Sequence, residues 1–213
     1  MTQLSKAQHL LDQIDETTKL GDIRALAKEI KRDHEFALTL WSSETFLPRQ
    51  LALLIMDKKL LDEELIDRLV TDIGTHPEHE RDHLIDWLMA NQLSKDKKTI
   101  AMMETWADSA SPLKRRVFWY YQARLRWVGQ TPPPNTEELL LAIESQIEQE
   151  APEVQWAMNF TAAQIGIFQP EYRERCIALG ERTGLYQDEI VAKNCTPNYL
   201  PKFIAIQVAK LEK

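Results

Sequence analysis

Two carboxylates at helical spacing, Asp82 and Asp86, lie in the segment RDHLIDWLM. Residues four apart share one face of a helix, so both side chains would lie beside the apolar positions Leu84, Ile85 and Trp87. A carboxylate at the edge of an aromatic-lined groove can stabilise a developing positive charge or orient a water molecule. Asp86 is therefore the candidate catalytic residue. The alternative, which the spacing alone favours, is an exposed helical aspartate.

A second group of residues points to phosphate binding. The segment SPLKRRVFWYYQARLRWV contains no acid and five cations, Lys114, Arg115, Arg116, Arg124 and Arg126. Its aromatic residues are Phe118, Trp119, Tyr120, Tyr121 and Trp127. From residue 95 to residue 126, eight basic and three acidic residues give a local charge of +5. Arginine binds phosphate bidentately and aromatic rings stack on sugars or bases, which indicates nucleic acid. In the alternative, the rings fill the core and the arginines pair with acids.

The histidines His76, His79 and His83 form a third group, of which the last two are four residues apart. This spacing can hold a metal, but a complete site needs a further ligand that we do not identify, so no metal is expected. The sequence also lacks glycine-rich phosphate-binding loops and the HExxH, CxxC and GxSxG signatures. These absences argue against the commonest enzyme classes, and no cofactor is expected.

The composition favours a chain that is helical nearly throughout. The 213 residues include only 6 glycines, with 44% hydrophobic and 28% charged residues and a mean hydropathy of −0.40. Few glycines in a leucine-rich chain argue against sandwiches, barrels and glycine-rich nucleotide-binding sheets. The net charge of −7 would repel nucleic acid, so any DNA binding needs a local basic face.

The number of cysteines and the length of the apolar runs indicate in which cellular compartment the protein is expected. Two cysteines, Cys176 and Cys195, are too few for a disulfide scaffold and fit a reducing compartment. The N-terminal residues lack the apolar core of a signal peptide, and the longest apolar run, Leu51 to Met56, is six residues. We therefore expect a cytoplasmic protein without a membrane span.

Internal repetition predicts the architecture. The polar residues Arg49, Asp82, Arg115 and Gln155 recur at intervals of 33, 33 and 40 residues. Apolar residues follow each of them in the same phase, and those two positions later are Leu51, Leu84, Val117 and Ala157. Such periods are typical of stacked helix pairs, each of which buries its apolar face only against its neighbours. We therefore predict an all-α fold, an α-α superhelix (solenoid) of helical repeats.

The predicted array spans residues 1–213 as a single domain, and a tail helix at about 198–213 closes it. The helices that begin near Pro48, Glu80, Pro112 and Pro152 carry the repeated positions. Because these positions share one phase, we expect the four helices to line one side of the array.

Several of these segments resemble one protein family. SETFLPRQLALLIM, RDHLIDWL, SPLKRRVF and VQWAMNF are similar to successive helices of the DNA alkylation repair family, the HEAT-like repeat (AlkD-type) DNA glycosylases and their relatives. The similarity is best between about Glu35 and about Gln169, and the closing CTPNYLPKFIA is similar to the tails of some members. The resemblance implies HEAT-like repeats and DNA as the partner. It also implies hydrolysis of the N-glycosidic bond of N3- or N7-alkylated purines, with a carboxylate near C1′.

Carried over by position, the resemblance assigns roles to four residues. Asp86 matches the catalytic aspartate of the family, and Arg115 matches its DNA-contacting arginine. Phe160 stands where the family has a tryptophan, and Asp82 stands where it has another. Further DNA contacts are expected from Lys114, Arg116, Trp119, Arg124 and Arg126.

The acid at position 82 departs from the family pattern. An aspartate there repels phosphate and offers no ring to pack on a deoxyribose, so we expect weak or absent glycosylase activity. Two alternatives use the same scaffold. One is a non-catalytic binder of branched or damaged DNA, and the other is a protein-interaction solenoid, which the acidic total charge favours. The sequence indicates no oligomeric state.

Overall fold

Helices make up all of the regular structure in the computed structural model, which describes residues 8–12, 14–15 and 17–212. Eleven α-helices of eight residues or more run through this part of the chain, which contains no strand. They are α1 (Leu20–Ile30), α2 (His34–Trp41), α3 (Phe46–Ile55), α4 (Glu63–Ile73), α5 (Glu78–Asn91), α6 (Lys97–Glu104), α7 (Pro112–Arg124), α8 (Thr136–Gln146), α9 (Pro152–Phe168), α10 (Arg173–Thr183) and α11 (Leu200–Leu211). The prediction of an all-α fold is confirmed.

Capping side chains fix where several helices begin. Asp33 and Asp62 each accept a hydrogen bond from the backbone N–H three residues on, at 3.0 and 2.8 Å. Asp96 accepts one from the N–H of Lys98 at 3.0 Å. Each bond satisfies one of the N–H groups that the first turn of a helix leaves without a partner. Several acids of this acidic chain are therefore used as helix caps.

The predicted starts of the four repeated helices agree with the structure within two residues. Helices α7 and α9 begin at Pro112 and Pro152, as predicted, because proline fits the first turn of a helix. Helices α3 and α5 begin two residues before the predicted Pro48 and Glu80. Proline and glutamate are both tolerated inside a first turn, so neither marks its first residue.

The chain divides into two compact units, Met1–Thr105 and Trp106–Lys213. In the first unit, α1 and α2 pack on α3, and α3 and α4 pack on α5. The core of this unit includes the fully buried Phe36, Leu51 and Leu84. A single domain over 1–213 stays a prediction.

A buried arginine joins the helices of the first unit. Arg49 is 3% exposed and donates to the backbone carbonyls of Trp41 (3.2 Å) and Asp72 (3.0 Å). Its Nη1 also lies 2.7 Å from Nε2 of His76. Because a guanidinium only donates, Nε2 accepts, and the Nδ1–H of His76 donates to Glu80 at 2.7 Å. Burial lowers the pKa of Arg49.

Helix α9 is the centre of the second unit. Helix α7 makes the most extensive contact with it, and α8, α10 and α11 also pack against it. Thr161 on α9 donates to the backbone carbonyl of Trp119 on α7 at 2.7 Å. Trp156 and Phe160 are among the few residues of α9 that stay half-buried.

The predicted tail helix is α11, which spans Leu200–Leu211 within the predicted range of about 198–213. Lys213, at the end of that range, lies outside the described residues. The helix begins with Pro201 in its first turn and packs on both α9 and α10.

Two glycines let α11 approach its neighbours closely. A Cβ atom on Gly180 of α10 would lie 2.6 Å from Pro201 and 2.7 Å from Leu200. A Cβ atom on Gly166 of α9 would lie 2.7 Å from Ile204. At Gly180 a Cβ atom fits only if α11 moves away, because Leu200 Cβ and Pro201 Cδ are fixed to its backbone, whereas at Gly166 it meets the end of the Ile204 side chain, which can shift.

The substitution Gly180→Ala should therefore lower the free energy of unfolding by about 1–3 kcal/mol, the usual cost of adding atoms to a packed contact. Gly21→Ala is the control, because no atom lies within 4 Å of a Cβ at that position of α1. Alanine suits a helix better than glycine, so the control should raise stability by up to about 1 kcal/mol. Chemical denaturation measures both changes. Stabilisation by both substitutions would show that α11 needs no close approach.

Candidate nucleic-acid interface

Helix α5 carries both predicted carboxylates in the first unit. Asp82 pairs with Arg81, whose Nε lies 3.1 Å from Oδ1, and the two side chains are 24% and 23% exposed. Asp86 is half-buried one helical turn further on, at a Cβ separation of roughly 5–6 Å in a regular helix. The contact with Arg81 offsets part of the repulsion that two neighbouring carboxylates exert on each other.

Aromatic rings border this face of α5. The imidazole of His83 lies 5.6 Å from the ring of Phe46 and 5.3 Å from that of Trp87. The guanidinium of Arg24 lies 5.3 Å from the centre of the Trp87 ring. Burial lowers the pKa of His83 below its usual value of 6.5, against the opposing effect of the Asp86 carboxylate, so the imidazole is mostly neutral at pH 7. Asp86 therefore lies close enough to the His83 imidazole to act on its pKa, and a carboxylate in such a position can stabilise a nearby positive charge.

The histidines that the sequence groups together have separate surroundings. His76 bonds to Arg49 and Glu80, His83 contacts aromatic rings, and His79 is exposed. In the part of the chain that the structure describes, no three His, Cys, Asp or Glu side chains are arranged to hold a metal ion. His76 serves to position Arg49.

In the second unit, Arg115 is held by an acid. Its Nε and Nη2 lie 3.1 and 2.8 Å from the carboxylate oxygens of Glu150, and its Nη1 donates to the carbonyl of Ser109 at 2.6 Å. The Arg115 and Glu150 side chains are 18% and 15% exposed. Because Glu150 occupies the fork of the guanidinium, Arg115 can bind a phosphate only by exchanging this partner.

Three of the predicted DNA contacts lie in the core of the second unit. Arg126 is fully buried and donates to the carbonyl of Gln122 (2.9 Å) and to Oδ1 of Asn135 (2.6 Å). Burial lowers the pKa of Arg126 to about 10. Trp119 and Arg116 are 2% and 4% exposed. In this structure the three side chains offer almost no surface to DNA, because they lie in the core, where the two arginines donate to backbone and side-chain acceptors.

Two other predicted contacts are closer to the surface. Lys114 is half-buried, with its Nζ 5.2 Å from the centre of the Trp106 ring. Arg124 is half-buried, with its guanidinium 4.4 Å from the centre of the Trp127 ring. A cation over an aromatic face is weakly held, so Arg124 keeps its charge available to a nearby anion.

Four half-buried aromatic side chains, Tyr120, Trp156, Phe160 and Phe203, form what we call the ring cluster. Trp156 and Phe160 are stacked, with ring centres 5.3 Å apart and planes 5° from parallel. Tyr120 meets each of them edge-on at 5.6 Å, and Phe203 meets Phe160 edge-on at 6.1 Å. The guanidinium of Arg116 lies 4.4 Å from the centre of the Trp156 ring. The ring cluster is thus a half-buried aromatic surface that packs against the buried guanidinium of Arg116.

Phe160 is a predicted contact, whereas the sequence interpretation did not single out Trp156. The sequence feature that could have identified Trp156 is its spacing of four residues from Phe160, which places both rings on one face of α9. The resemblance leads us to expect a tryptophan at position 160, and phenylalanine has a smaller ring system. The indole of Trp156, stacked on Phe160, supplies the missing aromatic area.

A family model described as DNA alkylation repair enzyme matches residues 17–183. The chain belongs to this family. The matched residues include helices α1 to α10 and every predicted site residue, whereas α11 lies beyond them. The resemblance inferred from the sequence segments is confirmed.

A solved structure extends the comparison to the fold. It is described as a new family of proteins related to the HEAT-like repeat DNA glycosylases with affinity for branched DNA structures. The TM-score is 0.68 at 17% sequence identity, over 99% of this chain and 88% of the other. The likeness shows the predicted fold class, an all-α solenoid of HEAT-like repeats. Among curated proteins, no sequence match is found. No helix in the described residues is both long and apolar enough to cross a membrane.

Proposed function

We propose that this protein binds DNA that branches or leaves bases unpaired, and that the ring cluster of the second unit is its main contact surface. The observation that carries the proposal is the half-buried Trp156–Phe160 stack. Aromatic side chains stack on exposed bases regardless of sequence, because every base has a π face. Bases inside a duplex are already stacked, so such rings gain most where DNA branches.

The charge distribution supports a local attraction. The chain carries a net charge of −7, which opposes the approach of DNA. The half-buried Lys114 and Arg124 lie on α7, and Arg115 on the same helix can exchange its carboxylate partner for a phosphate. The protein with the similar structure is described as having affinity for branched DNA, which supports the same ligand here.

Fluorescence anisotropy with a labelled four-way junction and a duplex of the same sequences tests the proposal. One additional stacked base favours the junction by about tenfold. Both complexes should weaken as salt rises, with a slope of about −0.9 in log K against log salt for each phosphate contact. A protein-interaction solenoid would bind neither DNA in a salt-dependent way, and that result would refute DNA binding.

Excision of alkylated purines is the second candidate function, and the half-buried Asp86 carboxylate beside the His83 imidazole favours it. In that reaction the bond between C1′ and the purine nitrogen breaks, and its electron pair neutralises the cationic base. A water oxygen bonds to C1′ and releases a proton to the solvent. Asp86 would stabilise the oxocarbenium-like transition state and orient the water.

The acid at position 82 argues for weak excision, so Asp82→Trp is the informative substitution. It replaces a repelling carboxylate with a ring, and both DNA affinity and any release of 3-methyladenine or 7-methylguanine from methylated DNA should rise. Asp82→Asn removes the charge without adding a ring and separates the two effects. Asp86→Asn should abolish whatever release is seen. Robust release by the unmodified protein, lost in Asp86→Asn, would show that an acid at position 82 is compatible with catalysis.

A further inference from the structure

A pocket of about 460 Å³ opens in the second unit beside the ring cluster. Its walls are helix α9, the tail helix α11, and Trp127 and Val128, which follow α7. The aromatic lining residues are Trp127, Phe160, Phe168 and Phe203, of which Phe160 and Phe203 also belong to the ring cluster. The volume falls within the range of ordinary small-ligand sites, roughly 300–1,000 Å³.

A glutamine amide lies in the wall of this mostly apolar pocket. Gln164 lines the pocket and is 6% exposed. Its amide forms no hydrogen bond with the residues that the structure describes. The Gln164 amide is not among the fully buried polar groups that lack a partner, so it reaches the space of the pocket and can both donate to and accept from a ligand there.

Two basic side chains lie at or near the pocket, and its described lining residues include no acid. Lys210 on α11 is an exposed lining residue, and Arg124 lies over the ring of the lining residue Trp127 at 4.4 Å. Neither cation forms an ion pair within the described part of the chain. A ligand with an anionic group therefore fits better than a neutral one.

We infer that this pocket takes one unpaired nucleobase of bound DNA, an inference that rests on the proposed function. Aromatic walls stack on the base, the Gln164 amide meets donors and acceptors on its edge, and Lys210 and Arg124 attract the adjoining phosphates. A base inside a duplex cannot enter, whereas an unpaired base at a branch point can. One wall is α11, which lies outside the residues matched by the family model, so the pocket depends on the tail of this chain.

A free nucleotide tests the pocket without branched DNA. The probe is the 5′-monophosphate of 2-aminopurine deoxyribonucleoside, whose fluorescence is quenched when its base stacks. We expect saturable quenching that is lost in Gln164→Leu, which keeps a side chain of similar size but removes the amide. Lys210→Glu should also weaken it, whereas Lys202→Glu, the same charge change on α11 away from the pocket lining, should not. Quenching that survives in both pocket variants would overturn the inference.

Two junctions separate this inference from the proposed function. One is fully paired, and the other carries a single unpaired 2-aminopurine at the branch point. The unpaired base should tighten binding by about 5- to 150-fold, the usual worth of one stacked base, and Gln164→Leu should remove that gain. Equal affinity for both junctions, each above that for a duplex, would refute the pocket and leave the proposed function intact. Affinity for neither junction above the duplex would refute both.

Self-association is the remaining outcome for an apolar pocket. If Leu211→Ser, in the pocket lining, abolishes dimerisation measured by light scattering while the nucleotide probe shows no quenching, the pocket binds a second copy of the chain instead of a base.

Discussion

Replacing Glu150 with glutamine should tighten DNA binding by about tenfold or more, the usual worth of one hydrogen-bonded charged contact. In the free protein the Glu150 carboxylate accepts hydrogen bonds from Nε and Nη2 of Arg115. A neutral amide competes less well for the guanidinium, which then becomes available to a phosphate. Glutamine also keeps an oxygen for the backbone N–H of Ala151, which contacts the carboxylate at 3.3 Å, so the start of α9 is preserved. Anisotropy titrations with the junction measure the change.

Glu148→Gln is the matched control for this prediction. Glu148 lies two residues away, is 51% exposed and pairs with Arg182, so the substitution makes the same charge change without freeing Arg115. It should alter affinity by no more than the loss of one distant negative charge. Arg115→Ala should weaken binding and lower the salt slope by about one unit. If Glu150→Gln and Glu148→Gln behave alike and Arg115→Ala leaves affinity unchanged, the Arg115–Glu150 pair is structural only, as Arg49 is in the first unit.

Replacing Trp156 with alanine should weaken junction binding by about 5- to 150-fold, because one aromatic side chain contributes about 1–3 kcal/mol when a base stacks on it. The substitution also removes the ring on which Arg116 rests at 4.4 Å, so a thermal melt must show that the variant is folded. Phe160→Leu is the milder second variant, since it keeps apolar volume at the position and removes only the aromatic face. Its effect should have the same direction and a smaller size.

Tyr172→Ala provides the control for aromatic loss. Tyr172 is a half-buried tyrosine of the second unit outside the ring cluster, just before α10. It should leave junction binding unchanged. Loss of junction affinity that is equal in Tyr172→Ala and Trp156→Ala would indicate general destabilisation instead of a stacking surface.

Local signals in the sequence predicted much of the fold. Prolines mark the starts of α7 and α9 because that residue fits a first turn, and the repeated apolar phase around Arg49 and Arg115 fixes which faces are buried. These signals act over a few residues, so one sequence is enough to read them. The offset of two residues in α3 and α5 arises because first turns also tolerate prolines and acids.

The candidate site was harder to predict because contacts between residues far apart in the sequence decide whether each charged side chain is paired, buried or exposed. Arg115 and its partner Glu150 are 35 residues apart in sequence, and nothing local pairs them. Arg126 is buried because acceptors on Gln122 and Asn135 converge on it. A cation at the surface and one in the core have the same letter, so the basic segment predicted a larger basic surface than the structure presents.

Trp156 was missed for a related reason. In the VQWAMNF segment the resemblance assigns a role to Phe160 only. The resemblance gives no role to Trp156, which lies one helical turn before Phe160. The stacking of the two rings becomes visible only with the packing of α9 against α7 and α11.

The function we propose is recognition of DNA structure, and not of an alkylated base. The most direct test measures the affinity of the protein for three DNA ligands in one titration series. They are an unmodified four-way junction, a duplex of the same sequence and that duplex after methylation. Purines released from the DNA are measured in the same samples. We expect the junction to bind more tightly than either duplex, methylation to leave duplex affinity unchanged, and little or no purine to be released. Tighter binding of the methylated duplex together with release of 3-methyladenine or 7-methylguanine would contradict the proposed function.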